Sequence, residues 1–436
     1  MRKIISLITV TSFVFMWMGN SVAYSLTNEQ LLEKMNNLEK QLSEVRSELR
    51  ELKETKTEGF TTKSKETNEV KSTGPKCATI PNVEFYGFIK TDFAYDTSRM
   101  NDPDHPGYVM SETNTAEDNQ FTGTVQNSRF GIDIAGPAIW GGQIKGKAEA
   151  DFLDTTSDNS FRPRVRHLYV DLDFPAWDLL FGQTWDVIGP LGPETLNTNG
   201  YLWRAGNIGF RRTQVRLTNK FDLSDVGEDY ITTKISANRN IGIANGTLNT
   251  GEDSGLPLME ARVSYTTKQF FDKKLELGFG GLYGEEEVDR ASTSDDHWNA
   301  KQWGFVADIL APLYDSVTFK SEFFYGQNLD AFLAGIGQGV NTTTETEILA
   351  YGGWAQLSYK INDQFTLNSG YGIDHVDKED MNAGDRYNNQ VAFGNIIYSP
   401  IKHLKFGIEY SRWYTEYLQA ENGTDDRLQT SVIWDF

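Results

Sequence analysis

From Val83 to Phe436, apolar and polar residues alternate in about sixteen stretches of roughly ten residues, joined by connections that are by turns short and long. In the first stretch Phe85, Ile89, Phe93 and Tyr95 share one face, and Glu84, Lys90, Asp92 and Asp96 share the other. Leu275, Leu277, Phe279 and Tyr283 repeat the pattern, as do Val317, Phe319, Phe323 and Tyr325 against Thr318, Lys320 and Glu322. Lipid offers the backbone no hydrogen-bond partner, so a chain crosses it as apolar helices or as a sheet closed on itself. Beyond the N-terminal leader no segment supplies the roughly 20 apolar residues that a helix needs. The pattern therefore predicts an all-β, antiparallel transmembrane barrel of about 16 strands. A soluble sandwich also alternates, but its connections need not keep the long and short beat.

The predicted strands are 83 to 96, 126 to 136, 140 to 153, 164 to 174, 177 to 186, 208 to 219, 230 to 242 and 257 to 269 in the first half. In the second half they are 273 to 285, 299 to 311, 316 to 328, 348 to 361, 364 to 376, 388 to 399, 403 to 416 and 427 to 436. Gly136-Pro137, Phe174-Pro175, Ala311-Pro312, Asn362-Asp363 and Ser399-Pro400 mark the short turns. Tyr95, Trp140, Trp185, Trp303, Trp354 and Trp413 near strand ends suit interfacial girdles. The last strand ends Leu428, Thr430, Val432, Trp434, Phe436, and Trp434 and Phe436 resemble the terminal signal that the barrel assembly machinery reads.

Three segments precede the barrel of residues 83–436. Residues 1–23 read as a signal peptide: Arg2 and Lys3, an apolar run from Ile4 to Met18, and Ser21-Val22-Ala23 as the cleavage site. Within 26–54, Leu31, Met35, Leu38, Leu42, Val45, Leu49 and Leu52 alternate spacings of four and three, which predicts a coiled coil of three heptads and self-association. An amphipathic helix packed alone on the barrel is the other reading. Residues 55–82, rich in Thr, Lys, Glu and Ser, read as a flexible linker. An even strand count leaves both barrel ends on the periplasmic side, where the coiled coil would sit. Lone Cys77 has no internal partner for a disulfide.

The formal charge is −20, and residues 26 to 76 are balanced, so the negative excess belongs to the barrel. An acidic chain is a poor partner for nucleic acid. Glu285-Glu286-Glu287 and Asp295-Asp296 read as solvated outer loops rather than as sites for cations shared with lipopolysaccharide. Five His and no Ser-His spacing give no zinc site and no hydrolase, so neither metal, cofactor nor catalytic residue is expected.

Sixteen strands enclose more space than side chains fill, which leaves an aqueous channel whose wall charges decide what passes. With the apolar parity facing lipid, Arg129, Lys145, Lys147, Arg212, Arg216, Lys234 and Arg262 of the early strands point inward. Glu276, Asp308, Glu322, Asp374 and Glu409 of the later strands also point inward, giving a basic wall opposite an acidic one. In the fourth strand the parity of Leu168, Val170 and Leu172 sends Arg164 and Arg166 outward unless a bulge near Pro163 changes the register, and Arg166 is expected to reach the pore. Residues 187 to 207 are long enough to fold into the barrel or to cap it from outside.

The heptads, Phe85-Tyr86-Gly87, Ser128-Arg129-Phe130-Gly131, Arg164-Val165-Arg166-His167-Leu168-Tyr169 and Phe181-Gly182-Gln183-Thr184-Trp185 together resemble the DcaP-like porins, within the 16-stranded general porins. The resemblance is clearest in the first half of the barrel. It implies a homotrimer in the bacterial outer membrane, a periplasmic coiled coil, and passage of small, often negatively charged organic solutes past a narrowed eyelet bearing Arg129, Arg164, Arg166 and Arg212. Passive diffusion of small hydrophilic solutes is the function expected, with outer-membrane lipid and lipopolysaccharide around the barrel. The alternative is a barrel-anchored tether to the cell wall, although three heptads reach only about 30 Å.

Overall fold

Each alternating stretch becomes a strand in the computed structural model, which describes residues 82–113, 118–155, 161–197, 201–224, 228–243, 250–271, 273–290 and 296–436. The signal-like segment, the heptads, Cys77, Asp295 and all of the linker except Asn82 lie outside the described residues. The first eight barrel strands are β1 (Asn82–Asp96), β2 in two pieces (Gln120–Thr124 and Arg129–Ile139), β3 (Gly142–Thr155), β4 (Phe161–Asp173), β5 (Trp177–Trp185), β6 (Arg211–Asp222), β7 (Tyr230–Asn238) and β8 (Leu258–Thr267). The rest are β9 (Leu275–Asp289), β10 (His297–Tyr314), β11 (Val317–Gln327), β12 (Leu349–Lys360), β13 (Phe365–Val376), β14 (Arg386–Ile401), β15 (Leu404–Tyr417) and β16 (Gly423–Asp435). Each pairs antiparallel with the next, and β1 pairs with β16 from Phe88↔Asp435 to Asp96↔Arg427, so the sheet closes as a barrel of 16 strands. Gly87 and Phe436 finish the seam, each backbone amide donating to the other's carbonyl at 3.1 and 3.0 Å. Closure leaves no free edge.

Three of the proline pairs do not turn the chain. Gly136-Pro137, Ala311-Pro312 and Ser399-Pro400 lie inside β2, β10 and β14, each where the register slips between Ala135 and Ala138, Ala311 and Tyr314, and Tyr398 and Ile401. The reversals come later, at Trp140-Gly141, Asp315-Ser316 and Lys402-His403. Proline has no N–H to donate, and a bulge is the place in a ladder that does not ask for one.

Two further bulges steer side chains inward. Between the pieces of β2, Ser128 accepts from the Lys90 amide at 3.0 Å and donates back to the Lys90 carbonyl at 3.2 Å, replacing ladder bonds with side-chain ones. In β4 the partners run Glu149↔His167 and then Ala150↔Val165, so Arg166 is the extra residue. The bulge falls three residues beyond Pro163. It keeps Leu168 and Val165 facing out while Arg164 and Arg166 both face in.

The apolar parity is exposed all round, as Phe85 (73%), Phe279 (54%) and Trp434 (54%) illustrate. The girdle expected from six aromatics is only partly lipid-facing: Trp140 is exposed, whereas Trp354 and Trp413 are buried inside the barrel and Trp185 sits among inward-pointing arginines. Position near a strand end does not fix the side, and parity does: Trp354 shares its face with buried Ala350 and Gln356. The acidic run is likewise strand rather than loop at Glu285, Glu286 and Glu287, and Glu286 is fully buried, accepting from the Ile243 amide at 3.1 Å.

Residues 97–113, 186–197, 201–210 and 328–348 of the connections fold inward. They supply much of two apolar clusters. The first joins Ile188, Ile208, Leu329, Phe332 and Ile336 to Leu258, Leu282, Val306, Phe324 and Val376 of the wall, and the second joins Met100, Val109, Leu202 and Ala205 to Trp354, Val391, Phe393 and Trp413. The lumen beside β8 to β15 is therefore packed, and the side beside β2 to β7 keeps its polar lining.

Candidate functional site

Residues 186–197 and 201–210 lie in the interior, and the first of these stretches is tied down by side chains of the packed wall. The Val187 amide donates to Glu260 Oε2 at 2.6 Å, Leu191 to Glu322 Oε1 at 2.7 Å, Glu194 to Gln356 Oε1 at 2.6 Å and Leu196 to Glu409 Oε2 at 2.8 Å. The Thr195 hydroxyl donates to Glu409 Oε1 at 2.6 Å, and Lys90 Nζ donates to the Leu196 carbonyl at 2.8 Å. Of the two placements open to this segment from length alone, the inward one is observed.

The second inward connection leans on the first. Arg204 and Gly209 amides donate to the carbonyls of Leu333 and Phe332 at 2.7 and 2.9 Å, and Asp374 accepts from the Ile336 amide at 3.1 Å. Arg212 lies at the junction: it pairs with Asp186, donates to the Ala331 carbonyl at 2.7 Å and stacks over the Phe332 ring at 4.0 Å. This arginine is a clamp between two connections rather than a free charge. Arg262 is also engaged, pairing with Asp308 at 2.6 Å and Glu276 at 2.9 Å.

The acidic wall read from strand parity does point inward, but it does not meet water as a row of charges. Glu322, Asp374 and Glu409 accept backbone amides and Asp308 and Glu276 hold Arg262, so the expected field between two open walls is replaced by one basic wall facing the capped anchors.

On the basic wall Arg129, Arg164, Arg166 and Arg211 gather around two carboxylates. Arg164 meets Asp151 through two bonds at 3.0 and 2.8 Å, Arg166 bridges Glu149 at 2.7 Å and Asp151 at 2.9 Å, and Arg129 lies 3.4 Å from Glu149. Arg211 has no carboxylate partner among the described residues; its guanidinium lies 4.4 Å over Trp185 and 5.2 Å over Phe210, and Nη1 makes no hydrogen bond. Trp185, Tyr201, Trp203 and Phe210 form the aromatic cluster that holds it, with centroids 5.8 to 6.5 Å apart. Desolvated guanidinium over an indole face gains about 2 kcal/mol.

Further along the same wall Arg216 and Lys234 have no salt-bridge partner among the described residues, Lys147 pairs with Asp133 at 2.7 Å beside the Tyr86 hydroxyl at 2.9 Å, and Lys145 pairs with Asp173. Strand alternation points to Arg212 but gives no sign of Arg211, the residue beside it. Arg211 turns inward as the first residue of β6, where the inward segment gives way to the ladder and alternation has not yet set in.

Burial pushes the Asp330 carboxyl, on the connection that carries Phe332, up to about 6. A carboxyl held above its unfolded value of about 3.9 opposes folding when ionised, so its effect relents as pH falls from about 6 toward 4. Asp330→Asn is expected to melt higher than the parent protein at pH 8 and level with it at pH 4, measured by thermal unfolding in detergent; equal melting at both values would remove the assignment.

The family model described as DcaP outer membrane protein matches residues 16–219. The outer membrane channel DcaP of Acinetobacter baumannii superposes with a TM-score of 0.66 at 19% identity, covering 82% of this chain and 97% of that one. The anion-selective porin from Comamonas acidovorans gives 0.53 at 11%, over 82% and 100%. The trimer form of OmpT of Vibrio cholerae gives 0.50 at 13%, over 82% and 100%. No curated sequence matches the chain. At these identities the superpositions speak for the barrel fold, and the sequence match runs through the strands that carry the arginine cluster. Over residues 16–219, a little under half of its length, the chain is similar to the DcaP outer membrane proteins.

Proposed function

We propose that this barrel is an outer-membrane diffusion channel for small hydrophilic solutes that favours small anionic organic molecules. One observation carries the reading: the inward carboxylates of the later strands are occupied by loop amides and Arg262, while Arg129, Arg164 and Arg166 share two carboxylates on the opposite wall and Arg211, Arg216 and Lys234 lack an acidic partner among the described residues. An overall charge of −20 is then compatible with an electropositive path, because the acidic excess lies elsewhere. The anion-selective porin of similar fold supports the same direction.

The remaining parts fit this role. Residues 1–23 act as the export signal, 26–54 form a periplasmic coiled coil on the linker 55–82, and three copies assemble in lipid and lipopolysaccharide after the barrel assembly machinery reads Trp434 and Phe436. A relative of the same fold solved in a trimer form supports the assembly. Reversal potential in a planar bilayer under a salt gradient tests the central claim. Anion preference is expected, and either cation preference or silence in folded protein would overturn it.

A further inference from the structure

We infer that Glu260, Glu322 and Glu409 are positioning residues that set the bore: they hold residues 186–197 against the far wall and are thereby withdrawn from the water-filled path. This deepens the channel reading and rests on it. The three carboxylates stand on β8, β11 and β15, so they hold the segment along its run, at Val187, Leu191 and Leu196. All three are buried, and each accepts a backbone amide at 2.6 to 2.8 Å.

Close approach of backbones gives independent support. A Cβ on Gly372 would lie 2.1 Å from the Ala205 carbonyl oxygen, and one on Gly206, whose φ is +115°, would lie 2.2 Å from the Gly353 carbonyl oxygen. The segment is seated on bare backbone where it meets β12 and β13. The wall has room for it only because those positions lack side chains.

Anchors and open pore charges predict different outcomes. At position 409 a glutamine carbonyl still accepts from Leu196 and from the Asn395 amide, which now donates at 2.8 Å, and the Thr195 hydroxyl can turn to accept from the new amide. Glu409→Gln is therefore expected to keep the parental conductance and selectivity. Glu409→Ala is expected to raise occupancy of a high-conductance substate about tenfold or more, the factor that leaving a buried amide unpaired implies. Gly372→Val, which changes no charge, is expected to do the same by unseating the segment.

Single-channel recording of the full chain is paired with trypsin treatment of the folded barrel, where cleavage after Arg204 reports release. The inference is overturned if Glu409→Ala and Gly372→Val keep the parental conductance and protection. It is also overturned if Glu409→Gln and Glu409→Ala shift the reversal potential alike at unchanged conductance, the mark of a charge open to the path. Should Glu409→Ala not fold, Glu260→Ala with Gly372→Val makes the same comparison. Trypsin also separates the two readings: a silent parent protein whose variants alone are cut at Arg204 would end the channel reading and leave the anchors standing.

Discussion

Replacing Arg129, Arg164 and Arg211 together with glutamine is expected to reverse the ion preference of the barrel, lowering the anion-to-cation permeability ratio about tenfold or more. The four guanidinium groups beside Glu149 and Asp151 leave a positive excess, and removing three of them leaves Arg166 against two carboxylates. Unit charges about 4 Å apart interact by about 1 kcal/mol in bulk water and about 4 kcal/mol near a protein surface, and about 1.4 kcal/mol is a factor of ten. The effect should be largest at low ionic strength, because screening acts over about 10 Å at 0.1 M salt. Arg166 is left in place because it bridges both buried carboxylates, and losing it would leave them uncompensated. Reversal potentials measured in dilute and concentrated salt decide the matter. An anion preference that survives the triple replacement would place the selecting charges elsewhere, with Arg216 and Lys234 the next to test.

Arg212→Ala is expected to lower stability by about 3 to 5 kcal/mol, the cost of stranding a buried charge by removing its partner. Asp186 and Arg212 are both buried, and Asp186 also accepts from the Phe210 amide at 2.8 Å. The same change removes the bond to Ala331 and the contact with Phe332, so both inward connections lose their common clamp. Arg212→Lys should fall between, since an ammonium keeps the charge but not the planar fork that reaches Asp186 and Ala331 together. Thermal unfolding in detergent reads the first effect, and increased open-channel noise reads the second. Parental melting in the alanine variant would show that the pair contributes nothing net. A changed reversal potential without destabilisation would return Arg212 to the path itself.

These two expectations divide residues that alternation treats alike. Arg129, Arg212, Arg216 and Arg262 all occupy inward positions by the parity of their strands. Only contacts with neighbouring strands and inward connections separate Arg262, paired with Glu276 and Asp308 on the next two strands, and Arg212, paired with Asp186 beyond the end of β5 and bonded to Ala331, from Arg216. Arg166 shows the limit of parity in another way. One extra residue in β4 reverses every side chain beyond it, and a one-residue slip leaves no trace in the alternation except the conflict between Leu168 and Arg166.

The sequence by itself determined the barrel, because a period of two against lipid is a local property that each strand carries in its own residues. It also determined the strand count, which residues point inward along regular strands, and the resemblance to the DcaP porins. Tertiary structure decided that residues 186–197 and 201–210 enter the lumen, that the acidic wall is occupied by their amides, and that among the described residues Arg211 has no carboxylate partner while Arg212 has one. Those outcomes depend on backbone groups of one connection meeting side chains 70 to more than 200 positions away, and no periodicity in either segment encodes a partner at that distance.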